Sequence, residues 1–290
     1  MSALLAAARA IHFASLMAIF GGSAYAGLLR RRNLGGPSAG SLRTLFMIAA
    51  TLALVSGLAW FCLVAGQMSG SWGGSVDPSV LKLAASGTRF GHIFLARLIG
   101  LIGLWLLSAA ARRRGALAIA ILAGLLLASL APVSHAGASG GEIAIAGTAS
   151  DATHLLAGGF WLGGLMALAL LILSRRRDAA ALVEPLRIFS GWGSAVVALL
   201  VLTGVGNALS ILPLSAVAPR NPYFDLLLVK VGLAAAMVCL AALNRWRFAP
   251  ALPGGGERPM RHLAFSVGAE IALGLLVVAI VGFLGTMSPH

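Results

Sequence analysis

The sequence is poor in charged residues, in acidic residues and in cysteine. Only 10% of its 290 residues are charged and 59% are hydrophobic, whereas a soluble domain carries about 25% charged residues. A soluble globular protein is therefore excluded. The two cysteines, Cys62 and Cys239, lie in apolar segments and form no CxxC pair, which excludes a disulfide framework. Eight acidic residues supply no carboxylate-rich cage of the kind that holds calcium or magnesium.

Motifs of catalysis are missing as well. The sequence has no HExxH, no phosphate-binding glycine loop, no activated nucleophile and no paired catalytic carboxylates. We therefore do not expect an enzyme. The net charge of +13 does not indicate nucleic-acid binding either, because the arginines come in short runs between long apolar stretches.

Those apolar stretches predict an all-α, polytopic membrane protein. Eight segments are long enough to cross a bilayer and must be helical, because the hydrocarbon layer offers no water to satisfy backbone groups. With short connections between them, residues 1–290 form a single transmembrane bundle. The segments are 3–29, 42–66, 91–111, 115–133, 152–173, 187–211, 223–243 and 263–284. The outer loop at 67–90 contains a short predicted helix from Pro78 to Ala85.

The basic residues predict the orientation. Fifteen Lys and Arg residues fall in the odd-numbered connections and three in the even-numbered ones. Because cytoplasmic loops are the basic ones, both termini are predicted to lie outside, in the periplasm if the host is a bacterium.

An internal repeat divides the chain into 1–138 and 150–290. His12 is followed by Gly21-Gly22 at the same spacing as His154 by Gly163-Gly164. Further matches in the same order are Ser56-Gly57 with Thr203-Gly204, and Phe90 and Arg97 with Tyr223 and Lys230. Each half holds four predicted helices, so the repeats are parallel and a site near their axis can draw on both.

Histidines are the strongest candidates for chemistry. An ionisable residue inside a membrane usually faces the bundle interior or a cavity, so we expect the His12 and His154 rings to converge in one pocket open to the outer side. Imidazole together with thioether favours copper. Additional candidate ligands near the outer side are His92, His135, His290 and Met287.

Other polar and small residues have structural interpretations. We expect Arg97, Asn207, Asp225, Lys230 and Glu270 to pair across the bundle, although Glu270 also suits a proton or cation pathway. Trp161, Gly163 and Gly164 are expected to pack near the site. Two alternatives stay open: a b-type haem held by two histidines, which passes electrons and reduces copper, and a metal-free transporter that uses Arg97, Lys230 and Glu270.

Four stretches resemble the CopD copper-resistance membrane family, most specifically within residues 151–250. They are DATHLLAGGFWLGG at 151–164, the stretch from Phe189-Ser190 to Asn207, Tyr223 to Lys230, and Asn244-Arg245 with Pro250. The resemblance implies an eight-helix protein of the bacterial inner membrane that works with a periplasmic CopC-like carrier in copper uptake or tolerance. It also implies that His12 and His154 are copper ligands. Because no fused CopC domain is present, the carrier is expected to be a separate protein.

Overall fold

The computed structural model describes residues 1–110, 115–131, 142–174, 178–211, 222–254 and 257–287. Within these ranges the chain is helical and has no strand. Nine α-helices of ten residues or more follow one another in these ranges: α1 Ser2–Arg31, α2 Ala39–Ser69, α3 Pro78–Gly87, α4 Arg89–Ala110, α5 Ala116–Ala128, α6 Glu142–Ser174, α7 Ala180–Ile211, α8 Pro222–Leu243 and α9 Glu257–Leu284. A π-helical segment, Asn244–Phe248, extends α8 toward Ala251.

Seven of the described helices, α1, α2, α4, α6, α7, α8 and α9, are long and apolar enough to cross a membrane. Large apolar side chains on their outer faces are exposed, among them Ile99, Leu202 and Phe265. In water this surface would be costly, whereas lipid tails solvate it. The all-α, multi-pass membrane architecture predicted from hydropathy is therefore confirmed.

The eighth predicted span, 115–133, is not confirmed. Its helix, α5, has 13 residues, about 20 Å at 1.5 Å per residue, whereas the hydrocarbon core is about 30 Å thick. The helix predicted in the 67–90 loop is present as α3. Its first turn is stabilised by Asp77, whose carboxylate accepts from the Ser79 backbone N–H, and by Pro78.

Helix α1 occupies the centre of the bundle and packs against α2, α5, α6 and α9. Its approach to α6 is close, because a Cβ added to Gly21 would fall 2.9 Å from the Gly163 Cα atom. Small residues permit such contacts between membrane helices. On its other side α1 meets α2, and α2 in turn meets α4.

The contacts along α1 and α6 run in the same direction. Met17 lies against Gly159, Gly21 against Gly163, and Tyr25 against Phe189 of α7 farther along. The Tyr25 hydroxyl donates to the carbonyl of Pro185 at 2.9 Å. Pro185 lies inside α7. These contacts anchor both halves of the chain to one central pair of parallel helices.

Candidate functional site

His12 lies on α1 and is 1% exposed. Its Nδ1 atom is 2.9 Å from the carbonyl oxygen of Ala53 on α2. A carbonyl oxygen only accepts, so Nδ1 carries the proton and Nε2 carries the lone pair. Gly57 leaves room for the ring, since a Cβ at that position would be 3.2 Å from the His12 Cε1 atom. The edge of Trp60 packs against the imidazole, with ring centroids 5.8 Å apart.

Arg97 of α4 reaches the free ring nitrogen of His12. Its Nη2 atom donates to His12 Nε2 at 2.7 Å. Its Nη1 atom donates to the Leu126 carbonyl of α5 at 2.5 Å and to the Ser129 hydroxyl. Every one of these partners is neutral. Arg97, only 7% exposed, is thus a buried cation hydrogen-bonded to the atom of His12 that would bind a metal.

A small cavity adjoins the His12–Arg97 pair. Its volume is about 20 Å³, and a cavity of about 10–15 Å³ already holds one water molecule. Apart from His12 and Arg97 the walls are almost entirely apolar, formed by Gly57, Trp60, Phe90, Ile93, Phe94, Leu101 and Leu130. The cavity offers room for one small ligand beside the imidazole.

His154 occupies a similar setting on α6. Its Nδ1 atom is 2.9 Å from the Thr203 hydroxyl of α7. That hydroxyl already donates its proton to the Leu199 carbonyl at 2.5 Å, so it accepts from Nδ1, and the lone pair again lies on Nε2. Gly204 stands beside the ring as Gly57 does beside His12, with a Cβ placed 3.5 Å from the His154 Cε1 atom.

Around His154 the polar groups are more numerous. Asp151, one turn earlier on α6, accepts from the Asn207 amide of α7 at 2.6 Å, and the Ser150 hydroxyl donates to Asn207 at 2.6 Å. Lys230 of α8 lies within electrostatic range of both Asp151 and His154. A cation therefore adjoins each of the two histidines, and among the described residues a carboxylate lies close to Lys230 but none is bonded to Arg97.

The contacts of the two histidines do not place them in one pocket. His12 is bonded across to α2 and α4, whereas His154 is bonded to α7. His154 is not among the residues that line the cavity beside His12. Within the ranges that the structure describes, no three His, Cys, Asp or Glu side chains form a group that could hold a metal ion. The expected convergence of the two rings finds no support.

The remaining candidate ligands are dispersed. His92 is exposed in the first turn of α4 and does not line the cavity. Met287 packs in an apolar cluster with Tyr223 and Leu284. His135 and His290 lie outside the described residues. Asp225, considered as a partner for Lys230, is exposed in the first turn of α8.

The residues expected to pack near the site lie at the centre of the bundle. Gly163 adjoins Met17 and Gly21, while a Cβ on Gly164 would be 2.7 Å from the Phe189 ring. Trp161 is buried, and its indole faces the Glu270 carboxyl group of α9. Sequence reasoning missed the partners of the imidazoles. The sequence did contain a signal, because Ser56-Gly57 and Thr203-Gly204 match each other in the predicted repeat. Their spacing alone did not show that each of these pairs contacts a histidine.

Comparison with known proteins bears on the role of these histidines. The profile "Copper resistance protein D-like, N-terminal domain" matches residues 1–145, and "Copper resistance protein D" matches residues 183–284. The chain is 30% identical over 289 residues to copper resistance protein D of Pseudomonas syringae pv. tomato, covering 94% of this chain and 91% of that protein. The chain belongs to the copper resistance protein D family.

Two further relatives extend the comparison. Inner membrane protein YebZ of Escherichia coli (strain K12) is 28% identical, with 98% of this chain and 97% of that protein covered. Copper transport protein CutJ of Bacillus subtilis (strain 168) is 29% identical over 185 residues, which cover 60% of this chain and 34% of CutJ. No solved structure matches the chain.

As a member of the copper resistance protein D family, with seven membrane-length helices, the chain is a multi-pass inner-membrane protein. The resemblance to the CopD family is confirmed. The haem alternative gains no support from these relatives, whose names concern copper or the membrane alone.

Proposed function

We propose that this protein binds copper through His12 and His154 and mediates copper uptake or tolerance across the inner membrane, without catalysing a reaction. Family membership supports copper handling, since relatives are named for copper resistance and copper transport. The copper ion is the cargo of the protein. Family membership specifies neither the ligands nor the path of the ion.

One observation carries the assignment of the ligands: both imidazoles have the same tautomer, fixed from a neighbouring helix. The Nδ1–H group of His12 donates to Ala53, and that of His154 donates to Thr203. Metal-binding histidines almost always donate their second ring N–H to such an oxygen, which orients the ring and raises the basicity of the other nitrogen. Each Nε2 atom is therefore prepared to coordinate a metal.

The contacts favour two copper sites, one in each half of the chain, over a single site between the halves. A transporter must release its cargo, and binding that is too strong at any one site prevents release. Two weak sites built around one imidazole each satisfy this requirement. The equivalent positions of His12 and His154, of Gly57 and Gly204, and of Arg97 and Lys230 support the proposed organisation into repeats at 1–138 and 150–290.

The direction of access follows from the basic loops. Under the positive-inside rule the Arg30–Arg32 end of α1 is cytoplasmic, so the opposite end, toward which His12 lies, is periplasmic. His12 is the eleventh residue of α1, about 15 Å from its outer end at 1.5 Å per residue. A separate CopC-like periplasmic carrier would deliver copper at this side.

Metal analysis of the purified protein tests the proposal. We expect His12→Ala and His154→Ala each to lower the bound copper, and the double variant to abolish it, because each change removes one Nε2 ligand. His262→Ala is the matched control, since His262 is exposed and stacks on Phe248 at the other end of the bundle. Wild-type copper content in the double variant would refute the proposal.

A further inference from the structure

A second buried polar cluster lies away from both histidines, where α8, α9 and α6 meet. Glu270, 1% exposed, is at the middle of α9. Its Oε1 atom accepts from the Asn244 side-chain amide, at the point where α8 passes into the π-helical segment. The Trp161 indole N–H on α6 is close enough to donate to the same carboxyl group. Ser266, 2% exposed, lies one helical turn before Glu270.

No cation in the described residues compensates a charge on Glu270. Arg245, next to Asn244, is held at α7 by the Ser190 carbonyl at 3.3 Å and the Ser194 hydroxyl at 2.5 Å. On α9 itself the nearest basic residues, Arg261 and His262, are exposed and lie at least two turns earlier. The side chains that face the carboxyl group from α8 and α6 are Asn244 and Trp161, and both are neutral. The hydroxyl of Tyr25 on α1 is already bonded to the Pro185 carbonyl. An unpaired buried carboxylate is so costly that the neutral acid is favoured.

The unsatisfied atoms of the cluster indicate where that proton resides. Glu270 Oε2 and Asn244 Oδ1 are both buried, and neither has a hydrogen-bond partner among the described residues. Both atoms can only accept while Glu270 is ionised. A proton on Oε2 would make that atom a donor, and Asn244 Oδ1 is an acceptor of the same amide that lacks a partner. Together with the existing amide bond to Oε1 this would close a cyclic acid–amide pair, and exchanging the oxygen and nitrogen of the Asn244 amide would give the same pair.

Ser266 extends the cluster by one more acceptor. Its hydroxyl oxygen is also buried without a partner, and residues four apart share one face of a helix. Ser266 therefore adds a second buried polar group on the face of α9 that carries Glu270. At 1.5 Å per residue Glu270 is about 14 Å along the axis from Arg261, which places the cluster near the middle of the membrane.

We propose that Glu270 and Asn244 form a proton-binding site inside the membrane, and that its proton is exchanged with water as copper crosses. The carboxylate takes up one proton from water to become the acid, and release returns the same proton to water. The first clause depends only on the cluster, whereas the second rests on the proposed copper function. The π-helical turn at Asn244 supports exchange, because such turns are frequent at functional sites.

Infrared difference spectroscopy of the full-length protein in lipid tests the first clause. At neutral pH we expect the carbonyl band of a protonated carboxylic acid, which Glu270→Gln removes. Glu257→Gln, on the same helix but exposed, should leave the band unchanged. Asn244→Ala should retain the band at a shifted frequency, because the acid loses its amide partner. An identical acid band in wild type and Glu270→Gln would overturn the site.

Proteoliposomes with a pH-sensitive dye inside test the second clause. We expect copper addition to the wild type to be accompanied by a proton signal, which Glu270→Gln abolishes while copper binding at His12 and His154 remains. Copper movement without any proton signal in the wild type would overturn the coupling but leave the copper function standing. If the protein bound no copper, the proposed function would fail, and the infrared band would still decide whether Glu270 holds a proton.

Discussion

Arg97 is expected to weaken copper binding at His12, and its removal should therefore tighten it. The guanidinium Nη2 atom is 2.7 Å from His12 Nε2, the nitrogen that we assign as the ligand. Copper must displace this hydrogen bond. Because Arg97 is also held by the Leu126 carbonyl and the Ser129 hydroxyl, its charge remains nearby after the displacement.

The magnitude follows from Coulomb's law. Two unit positive charges 4 Å apart repel by about 4 kcal/mol at an effective dielectric constant of about 20. Every 1.4 kcal/mol is a tenfold change in affinity, so full removal of this repulsion corresponds to an increase of about a thousandfold. Copper displaces the guanidinium from His12 Nε2, so the two charges end farther apart and only part of this repulsion remains. We therefore predict that Arg97→Gln raises copper affinity at the first site by at least about tenfold.

Competition with a coloured Cu(I) chelator measures this affinity. The titration is made in a His154→Ala background, so that the first site alone is observed. Arg97→Lys is the matched control, because it keeps the positive charge and should keep the weak affinity. Thermal unfolding of each variant checks that α4 and α5 are still packed. Equal or weaker copper binding by Arg97→Gln, with folding intact, would refute the electrostatic reasoning.

Two further predictions concern stability. Gly21→Ala should lower the unfolding temperature strongly, since its Cβ meets the α6 backbone at Gly163 and overpacking costs about 1–3 kcal/mol. Gly27→Ala on the same helix, with nothing within 4 Å, should not. The Ser79 hydroxyl and N–H hold the pKa of Asp77 below its usual range. The ionised Asp77 carboxylate therefore stabilises the first turn of α3 above the ordinary aspartate pKa of about 3.9, and this stabilisation is lost on further acidification. Hydrogen exchange at the N-terminus of α3 should accordingly become faster in acid, and Asp77→Asn should abolish this pH dependence.

Hydropathy predicted most of the fold because the bilayer imposes a simple rule on length and composition. Seven of the eight predicted segments contain helices of membrane length. The segment at 115–133 differs, since α5 ends at Ala128. In the last turn of α5 the Leu126 carbonyl accepts a hydrogen bond from Arg97. This bond is of a common kind, because basic side chains often satisfy the free carbonyls at a helix C-terminus. A contact with a residue 29 positions away is invisible to a hydropathy window.

The histidines could be found from the sequence, but their partners could not. A polar residue within an apolar run stands out by itself, which is why His12 and His154 were candidates. The atoms that fix their tautomers are the Ala53 carbonyl and the Thr203 hydroxyl. The first of these is backbone and carries no side-chain signal. The Glu270 cluster was equally hidden, because Asn244 and Glu270 are 26 residues apart.

The separate contacts of the two imidazoles follow from helix geometry. An α-helix turns by about 100° per residue, so the nine residues from His12 to Gly21 correspond to about two and a half turns. His12 therefore lies on the face opposite Gly21, and His154 on the face opposite Gly163. Those glycines form the contact between α1 and α6. The nine-residue spacing thus turns each histidine away from the contact between α1 and α6, His12 toward Arg97 and His154 toward Lys230.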